Sequence, residues 1–136
     1  MTERRGITSG SPYEPIIGFS RAVRIGDRVI VSGTAPVFAD GSCPDDVELQ
    51  AARCFAIIGT ALAEAGATPQ DVLRTRMFIT DPSYAEAVGR AHAAVFADID
   101  VKPAATMVVV AALLDPRWKV EVEAEAVIAR SEEHVG

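Results

Sequence analysis

Residues 119–126 read KVEVEAEA, an alternation of charged and apolar side chains. Successive side chains of a β-strand point to opposite faces of its sheet, so this period of two predicts a strand with one apolar face. The predicted strand covers residues 119–129 and carries Glu121, Glu123 and Glu125 on its polar face, about 6.5–7 Å apart. A sheet that contains this strand can bury one face under helices, while its other face carries a row of carboxylates.

The three carboxylates allow two interpretations, because a row of like charges is costly unless water or cations neutralise it. In the structural interpretation they form a solvated edge or an ion-pair ladder with Arg74 and Arg76 of another predicted strand. In the functional interpretation one carboxylate lines a partly dry pocket, where burial raises its pKa and it handles a proton.

The elements upstream predict the rest of the sheet. Two β-branched runs on either side of Gly26-Asp27 predict a hairpin. A capping-box pattern near Asp45 predicts a first helix that stops at Gly66. Its apolar stripe consists of Ala51, Phe55, Ile58, Leu62 and Ala65.

A strand is predicted over residues 72–80, with Leu73, Thr75, Met77 and Ile79 on one face. Asp81 and Pro82 predict the cap and first turn of a second helix, whose apolar stripe consists of Tyr84, Val88, Ala91 and Val95.

Residues 106–114 form a nearly continuous apolar run, which predicts a strand covered on both faces. The resulting order is β-β-α-β-α-β-β, an α+β fold with a single mixed sheet and two helices on one face. No third helix is predicted for the other face of the sheet, so we expect oligomerisation to cover it.

Length and composition predict one domain over residues 16–130, between an irregular arm (1–15) and a loose tail (131–136). A net charge of -6 makes nucleic acid a poor partner. No apolar run is long enough to span a membrane, and no hydrophobic segment follows the N-terminal residues. We therefore expect a cytoplasmic protein with no membrane partner.

Neither a metal nor a cofactor is expected. Cys43 and Cys54 are interpreted as free thiols, and the two histidines have no neighbours at ligand spacing. No glycine-rich loop joins a strand to a helix, as a nucleotide site would require. Ser32-Gly33 ends a strand in the wrong context for a nucleophile elbow, although its glycine lets a ligand or another subunit approach the backbone.

Four further side chains are weighed between structural and functional interpretations. His92 lies on the flank of the second helix and is either a hydrogen-bonded boundary residue or a site residue. Arg24 and Arg28 are interpreted as solubilising hairpin charges, whereas Arg21 is the candidate for binding an anion.

Six segments resemble, in order and spacing, the RidA/YjgF/endoribonuclease L-PSP family over about residues 16–129. They are FSRAV (19–23), VSGTAP (31–36), AEAG (63–66), DVLRTRMF (71–78), PAAT (103–106) and VEVEA (120–124). The resemblance implies a chorismate-mutase-like subunit and a homotrimer with small-molecule ligand clefts at the subunit interfaces. In its deaminating members, an arginine directly after a Pro-Ala pair clamps the substrate carboxylate, and water attacks an imine or enamine.

This chain departs from that family pattern at the clamp. Ala105 follows Pro103-Ala104, and alanine cannot form a bidentate ion pair. The resemblance also implies that Phe19 replaces a cleft tyrosine, Gly89 an asparagine and Met107 a cysteine, so the cleft is less polar than in the deaminating members.

The resemblance retains other parts of the cleft. Glu121 aligns with the cleft glutamate and Ser32-Gly33 with its wall, whereas Thr34 replaces a common glutamine. Arg21 or Arg76 is the candidate to occupy the space beside Ala105.

Two functions follow from this changed cleft. The first is an imine or enamine hydrolase that acts on a substrate other than the usual 2-imino acids. Glu121 would be its catalytic residue. The alternative is a non-catalytic ligand-binding or regulatory trimer that uses the same cleft, and a ribonuclease is least favoured because the chain is acidic.

Overall fold

The computed structural model describes residues 3–129, which form one six-stranded mixed sheet with two α-helices on one face. The elements are β1 (Arg4–Ile7), β2 (Ala22–Ile25), β3 (Arg28–Thr34), α1 (Val47–Glu64), β4 (Val72–Ile79), α2 (Ala85–Val95), β5 (Ala104–Val109) and β6 (Val120–Val127). The strands are ordered β1-β2-β3-β6-β4-β5, and only β4 and β5 run parallel. The predicted α+β class is confirmed. The predicted tail, residues 131–136, lies outside the described residues.

Strand β6 lies at the centre of the sheet, between β3 and β4. Its side chains alternate as the sequence predicts, since Val120, Val122, Ala124 and Ala126 are buried under the helices. Its three glutamates are half-buried on the other face. The alternation along β6 therefore distinguishes the two faces of the sheet: its apolar side chains lie on the helix-covered face, and its glutamates lie on the other.

Helix α1 has the predicted apolar stripe, and all five of its residues are buried. Its cap is Asp46, one residue after the predicted start, and the Asp46 carboxylate accepts a hydrogen bond from the Leu49 N–H at 2.9 Å. At the other end, Arg24 donates to the Ala65 carbonyl at 2.5 Å and Arg5 to the Glu64 carbonyl at 2.7 Å. The interpretation of Arg24 as a solubilising charge is therefore wrong: it caps the carbonyl end of α1.

The N-terminal segment corrects the predicted element order. Residues 4–7, inside the predicted irregular arm, form β1 and pair antiparallel with β2. The physical reason is Ile7, which is buried in the core and whose carbonyl accepts from the Arg21 N–H at 2.8 Å. The strand was not predicted because the residues around it are rich in glycine, serine and charged side chains. With β1 included, the observed order is β-β-β-α-β-α-β-β.

Strand β4 departs from the predicted alternation at its first residues. Its pairing with β6 shifts between Val72 and Arg74, so Val72 is 5% exposed whereas Leu73 is 57% exposed. From Thr75 onward the predicted face is buried. A bulge shifts the period-two pattern by one residue, and the sequence gives no sign of it.

Helix α2 is preceded by a short 3₁₀ helix. Asp81 caps this turn as predicted by accepting from the Ser83 N–H at 2.8 Å, and Pro82 is its first residue. The α-helix itself starts at Ala85 and buries Val88 and Ala91 of the predicted stripe. No helix in residues 3–129 is both long enough and apolar enough to cross a membrane.

Strand β5 corrects the prediction for the apolar run 106–114. It ends at Val109, and it lies at the edge of the sheet with β4 as its one neighbour. Within the chain it is largely exposed: Val109 is 53% exposed, and Leu114 in the following loop is 84% exposed. The run is apolar throughout, but this chain does not cover both of its faces.

Candidate functional site

Glu121 lies near the start of β6, on the face of the sheet that carries the carboxylates. It pairs across the sheet with Phe78 of β4. On the β3 side it lies against Gly33, where an added Cβ would come within 2.5 Å of Glu121 Oε2. The missing side chain of Gly33 leaves the space that the carboxylate occupies, so a larger residue here would force the Glu121 carboxylate to move.

The environment of Glu121 differs from that of the two other glutamates on its strand. Burial raises the pKa of Glu121, the nearby Arg21 guanidinium lowers it, and the Glu123 carboxylate raises it further. Arg76 instead pairs with Glu123 at 2.8 Å and with Glu125 at 3.3 Å. The predicted ion-pair ladder is therefore present, but Arg76 forms it, and Arg74 makes no ion pair with any residue from 3 to 129.

Arg21 is the cation nearest to this carboxylate site. It is 7% exposed, and it donates to the Gly33 carbonyl at 2.8 Å and to Thr34 Oγ1 at 3.2 Å. Its guanidinium lies 5.4 Å from the centre of the Phe19 ring. The structure thus brings together five predicted site residues, here called the glutamate group: Phe19, Arg21, Ser32, Gly33 and Glu121.

A second set of predicted residues lies on the helix side of the sheet and is called here the edge group. Ala105 and Met107 of β5 stand in register with Thr75 and Met77 of β4. The remaining members are on α2: His92, whose Nε2 is 2.8 Å from Thr75 Oγ1, and Gly89, one turn before it. A Cβ on Gly89 would contact nothing within 4 Å.

The two groups do not meet within one chain. Ala105, Thr75 and Ala124 lie side by side across β5, β4 and β6, and Glu121 is three residues further along β6. Strand spacing and rise therefore separate Ala105 from Glu121 by about 10 Å across the sheet and about 10 Å along it. The side chains also point to opposite faces, so one chain does not form a complete cleft.

Neither arginine considered for the space beside Ala105 lies there in the subunit. Arg21 is buried against β3, and Arg76 is paired with glutamates on the opposite face. The cations nearest in sequence to the edge group are also engaged. Lys102 donates to the carbonyls of Phe96, Ala97 and Ile99, and Arg90 pairs with Glu48 at 2.9 Å.

His92 packs into an aromatic cluster as well as against Thr75. Its ring centroid is 5.6 Å from that of Phe55 and 4.7 Å from that of Phe96. Burial lowers the pKa of His92, so the neutral imidazole is the favoured form. The edge group is therefore an apolar surface with one neutral hydrogen-bonding side chain.

A depressed histidine pKa predicts a dependence of stability on pH. The contribution of His92 is fully present above its unfolded pKa of 6.5 and is lost as pH falls through the folded value. We expect the free energy of unfolding of wild type, relative to His92→Gln, to decrease between about pH 7.5 and 5.5. Urea unfolding of both proteins at each pH gives this difference in free energy. Glu121 is present in both proteins, so its own contribution, which has the opposite pH dependence, cancels in the difference. A constant difference between the two proteins would contradict the prediction.

Three residues of this region were not among the predicted site residues. Phe78 stands opposite Glu121 in the strand register. Thr34, named only as the replacement for a glutamine, is a partner of Arg21. Glu14 is buried, accepts from Thr8 and Ser9, and acts electrostatically on Arg21. The alternation along β4 could have predicted that Phe78 lies on the same face of the sheet as the glutamates. No pattern in the sequence predicts that Glu14 lies near Arg21.

Residues 3–129 contain no cluster of histidine, cysteine and carboxylate side chains that could hold a metal ion. Cys43 and Cys54 are free thiols, as predicted, and burial raises the pKa of Cys54. Among the predicted site residues, the two side chains with a shifted carboxylate or imidazole pKa are Glu121 and His92.

Comparisons with known proteins agree with this geometry. The family model described as Endoribonuclease L-PSP matches residues 10–128. An uncharacterized protein of Streptomyces coelicolor is 41% identical over 123 residues, which are 90% of each chain. A Mycobacterium tuberculosis structure, described as a member of the YjgF/YER057c/UK114 family, is 42% identical with a TM-score of 0.83 and covers 93% of this chain and all of its own.

Escherichia coli TdcF, solved with bound serine, is 27% identical with a TM-score of 0.78 and covers 92% of this chain and 94% of its own. The matched fold is the chorismate-mutase-like fold that the sequence motifs imply. The chain belongs to the endoribonuclease L-PSP family, the RidA/YjgF group that its motifs resemble.

Proposed function

We propose that this protein is a cytoplasmic homotrimeric enzyme that hydrolyses an imine or enamine other than the usual 2-imino acids. In the reaction, water adds to the C=N carbon, and the C–N bond then breaks to give a carbonyl compound and ammonia. Glu121 is the catalytic residue, which takes a proton from the attacking water and returns it to the leaving nitrogen. Neither a metal nor a cofactor takes part in the proposed reaction.

The state of Glu121 is the observation that carries this proposal. Its carboxylate is half-buried with a raised pKa, while the neighbouring glutamates on the same face are paired with Arg76. A carboxylate that serves only to balance charge would be expected in such a pair. Glu121 instead stands opposite Phe78 in the strand register and against the bare backbone of Gly33, and its burial favours the protonated form, which suits the carboxyl group to exchange a proton.

Assembly of subunits supports a complete site. The glutamate group and the edge group are on opposite faces of one sheet, and β5 exposes apolar side chains at the sheet edge. We propose that the edge group of one subunit faces the glutamate group of its neighbour, so that the trimer implied by the family resemblance forms ligand clefts at its interfaces. The serine bound to TdcF supports a small polar molecule as the ligand.

The edge group supports a substrate without a carboxylate at this position. Arg21, Arg76, Arg90 and Lys102 all have partners away from Ala105. Arg74, which makes no ion pair within residues 3–129, stands in register with Ala104, whose side chain points to the face opposite Ala105. Burial of a carboxylate without a counter-charge is costly, whereas an apolar or neutral substituent fits against Met107 and the open space at Gly89.

A second candidate is a non-catalytic trimer that binds a small molecule in the same cleft. The open space at Gly89 and the small side chain of Ala105 favour it, because they leave room for a ligand and supply no catalytic group. Nucleic acid is not proposed as a partner. The net charge of -6 opposes binding to a phosphate backbone, so a ribonuclease activity is disfavoured.

A panel of imines generated in the assay tests the proposed activity. An amino-acid oxidase supplies imines with a carboxylate, and an amine oxidase supplies imines without one. We expect the wild-type protein to accelerate ammonia release from imines without the carboxylate at least tenfold more than from 2-iminopropanoate, because burying an unpaired carboxylate is costly. Tight binding without accelerated release from any imine would instead support the binding protein.

The variant Ala105→Arg is the matched test of the substrate preference. We expect it to increase the hydrolysis of 2-iminopropanoate at least tenfold, because a guanidinium can form two parallel hydrogen bonds with a carboxylate. Ala104→Arg, one residue earlier on β5 and on the opposite face, is the control. Equal effects of the two variants would contradict the assigned position of the substrate carboxylate.

A further inference from the structure

Hydrogen bonds to two neighbouring segments hold the backbone of Arg21 in place. Its N–H donates to the Ile7 carbonyl at 2.8 Å, and its carbonyl accepts from the Ser32 N–H at 3.0 Å. The residue is therefore held on both sides, by β1 and by β3, directly before β2 begins. A side chain that starts from such a fixed backbone has few ways to reach solvent, which agrees with its 7% exposure.

The Arg21 side chain ends at an irregularity of β3. The pairing of β3 with β6 shifts between Val31 and Thr34, and the guanidinium donates to the Gly33 carbonyl and to Thr34 Oγ1 inside this segment. Thr34 Oγ1 in turn donates to the Ser32 carbonyl at 2.8 Å. One planar group thus supplies hydrogen bonds where regular sheet pairing is interrupted.

Gly33 connects this network to the catalytic candidate, because the space above its Cα is occupied by the Glu121 carboxylate. We propose that Arg21 is a positioning residue, which holds the β3 irregularity so that Gly33 and Glu121 keep their relative placement and which does not itself bind the ligand. This role rests on the proposed function, in which Glu121 handles the proton. It differs from the anion-binding role that the sequence suggests for Arg21, since Nη1 and Nη2 donate within the protein, and Nε, which has no partner among residues 3–129, is buried away from solvent.

The electrostatic surroundings of Glu121 make this role measurable. Arg21 acts on it from the residue before β2 and Glu123 from its own strand, while the Cys54 thiol of α1 stays neutral because its pKa is raised, and Phe78 and Gly33 carry no charge. Burial and Glu123 raise the pKa of Glu121, and Arg21 lowers it. Loss of the Arg21 charge should therefore move the Glu121 titration to higher pH.

NMR titration of the intact protein, labelled with ¹³C at its glutamate carboxyl groups, tests the proposal. The Glu121 signal is assigned from its absence in Glu121→Gln. We expect Arg21→Met to shift the titration midpoint of Glu121 to higher pH and to accelerate amide exchange at Gly33 and Thr34. Arg28→Met removes an exposed charge from the same hairpin, next to Glu125, and should change neither quantity.

Two further variants separate charge from positioning. Arg21→Lys keeps the charge but cannot hold both oxygens in one plane, so we expect a midpoint near that of wild type with faster exchange at Gly33. Thr34→Val removes one partner of Arg21 and should also accelerate this exchange, which keeps the test available if Arg21→Met does not fold. Wild-type exchange rates at Gly33 in both variants, or a wild-type midpoint of Glu121 in Arg21→Met, would overturn the proposal. Because the titration requires no substrate, its result is independent of whether the protein hydrolyses imines.

Discussion

Replacement of Glu121 by glutamine is expected to lower turnover by about 10²–10⁴-fold while ligand binding is retained, the range typical for loss of a general acid–base group. Glutamine keeps the shape of the side chain and fits the space left by Gly33. It cannot take a proton from water, so only the chemical step is affected. The measurement is ammonia release at saturating imine together with the ligand dissociation constant of each protein.

The matched control for this variant is Glu123→Gln. Glu123 lies two residues away on the same face of β6, but its carboxylate is paired with Arg76 at 2.8 Å. We expect the control to change turnover less than about threefold, since Glu123 takes no part in the proposed proton transfer and its ion pair with Arg76 is partly exposed to solvent. If Glu121→Gln retained wild-type turnover, or if both variants lost it equally, Glu121 would not be the catalytic residue.

The largest effect on stability is expected for Gln50→Leu. Gln50 is fully buried in α1, and its Nε2 donates to the carbonyls of Pro44 and Arg117 at 2.7 and 2.9 Å. Its Oε1 accepts from the Lys119 N–H at 2.8 Å. Leucine satisfies none of these three backbone groups, so we expect the free energy of unfolding to decrease by about 3 kcal/mol or more.

Gln70→Leu is the control for this change. Gln70 lies exposed in the short turn before β4, where the same substitution should alter the free energy of unfolding by less than about 0.5 kcal/mol. Urea unfolding at one protein concentration compares both variants with wild type, so that any dependence of stability on concentration is the same for all three proteins. A loss for Gln50→Leu no larger than for Gln70→Leu would show that water replaces the lost hydrogen bonds.

The sequence predicts those parts of the fold that depend on periodicity within one element. The alternation of β6 and the stripe of α1 are both read from neighbouring residues, and the structure confirms them. Strand β1 and the burial of Val72 were missed because they depend on a partner strand. A four-residue strand has too few residues to show a period, and a bulge is visible only in the pairing.

The candidate site was predictable as residue types but not as an arrangement. Glu121 and Gly33 were both named from the sequence, yet their contact depends on an irregular pairing of β3 with β6. The partners of Arg21 were hidden for the same reason. The separation of Ala105 from Glu121 follows from strand order, which sequence spacing does not encode.

The exposed edge strand β5 has a consequence for how the protein must be produced and handled. An apolar strand with one unpaired side is a template on which another chain can add a strand. A subunit whose Val108 and Val109 are 42% and 53% exposed is therefore prone to aggregate while it is alone. Slow expression keeps the concentration of newly made chains low, so it should reduce this aggregation and increase the recovered yield.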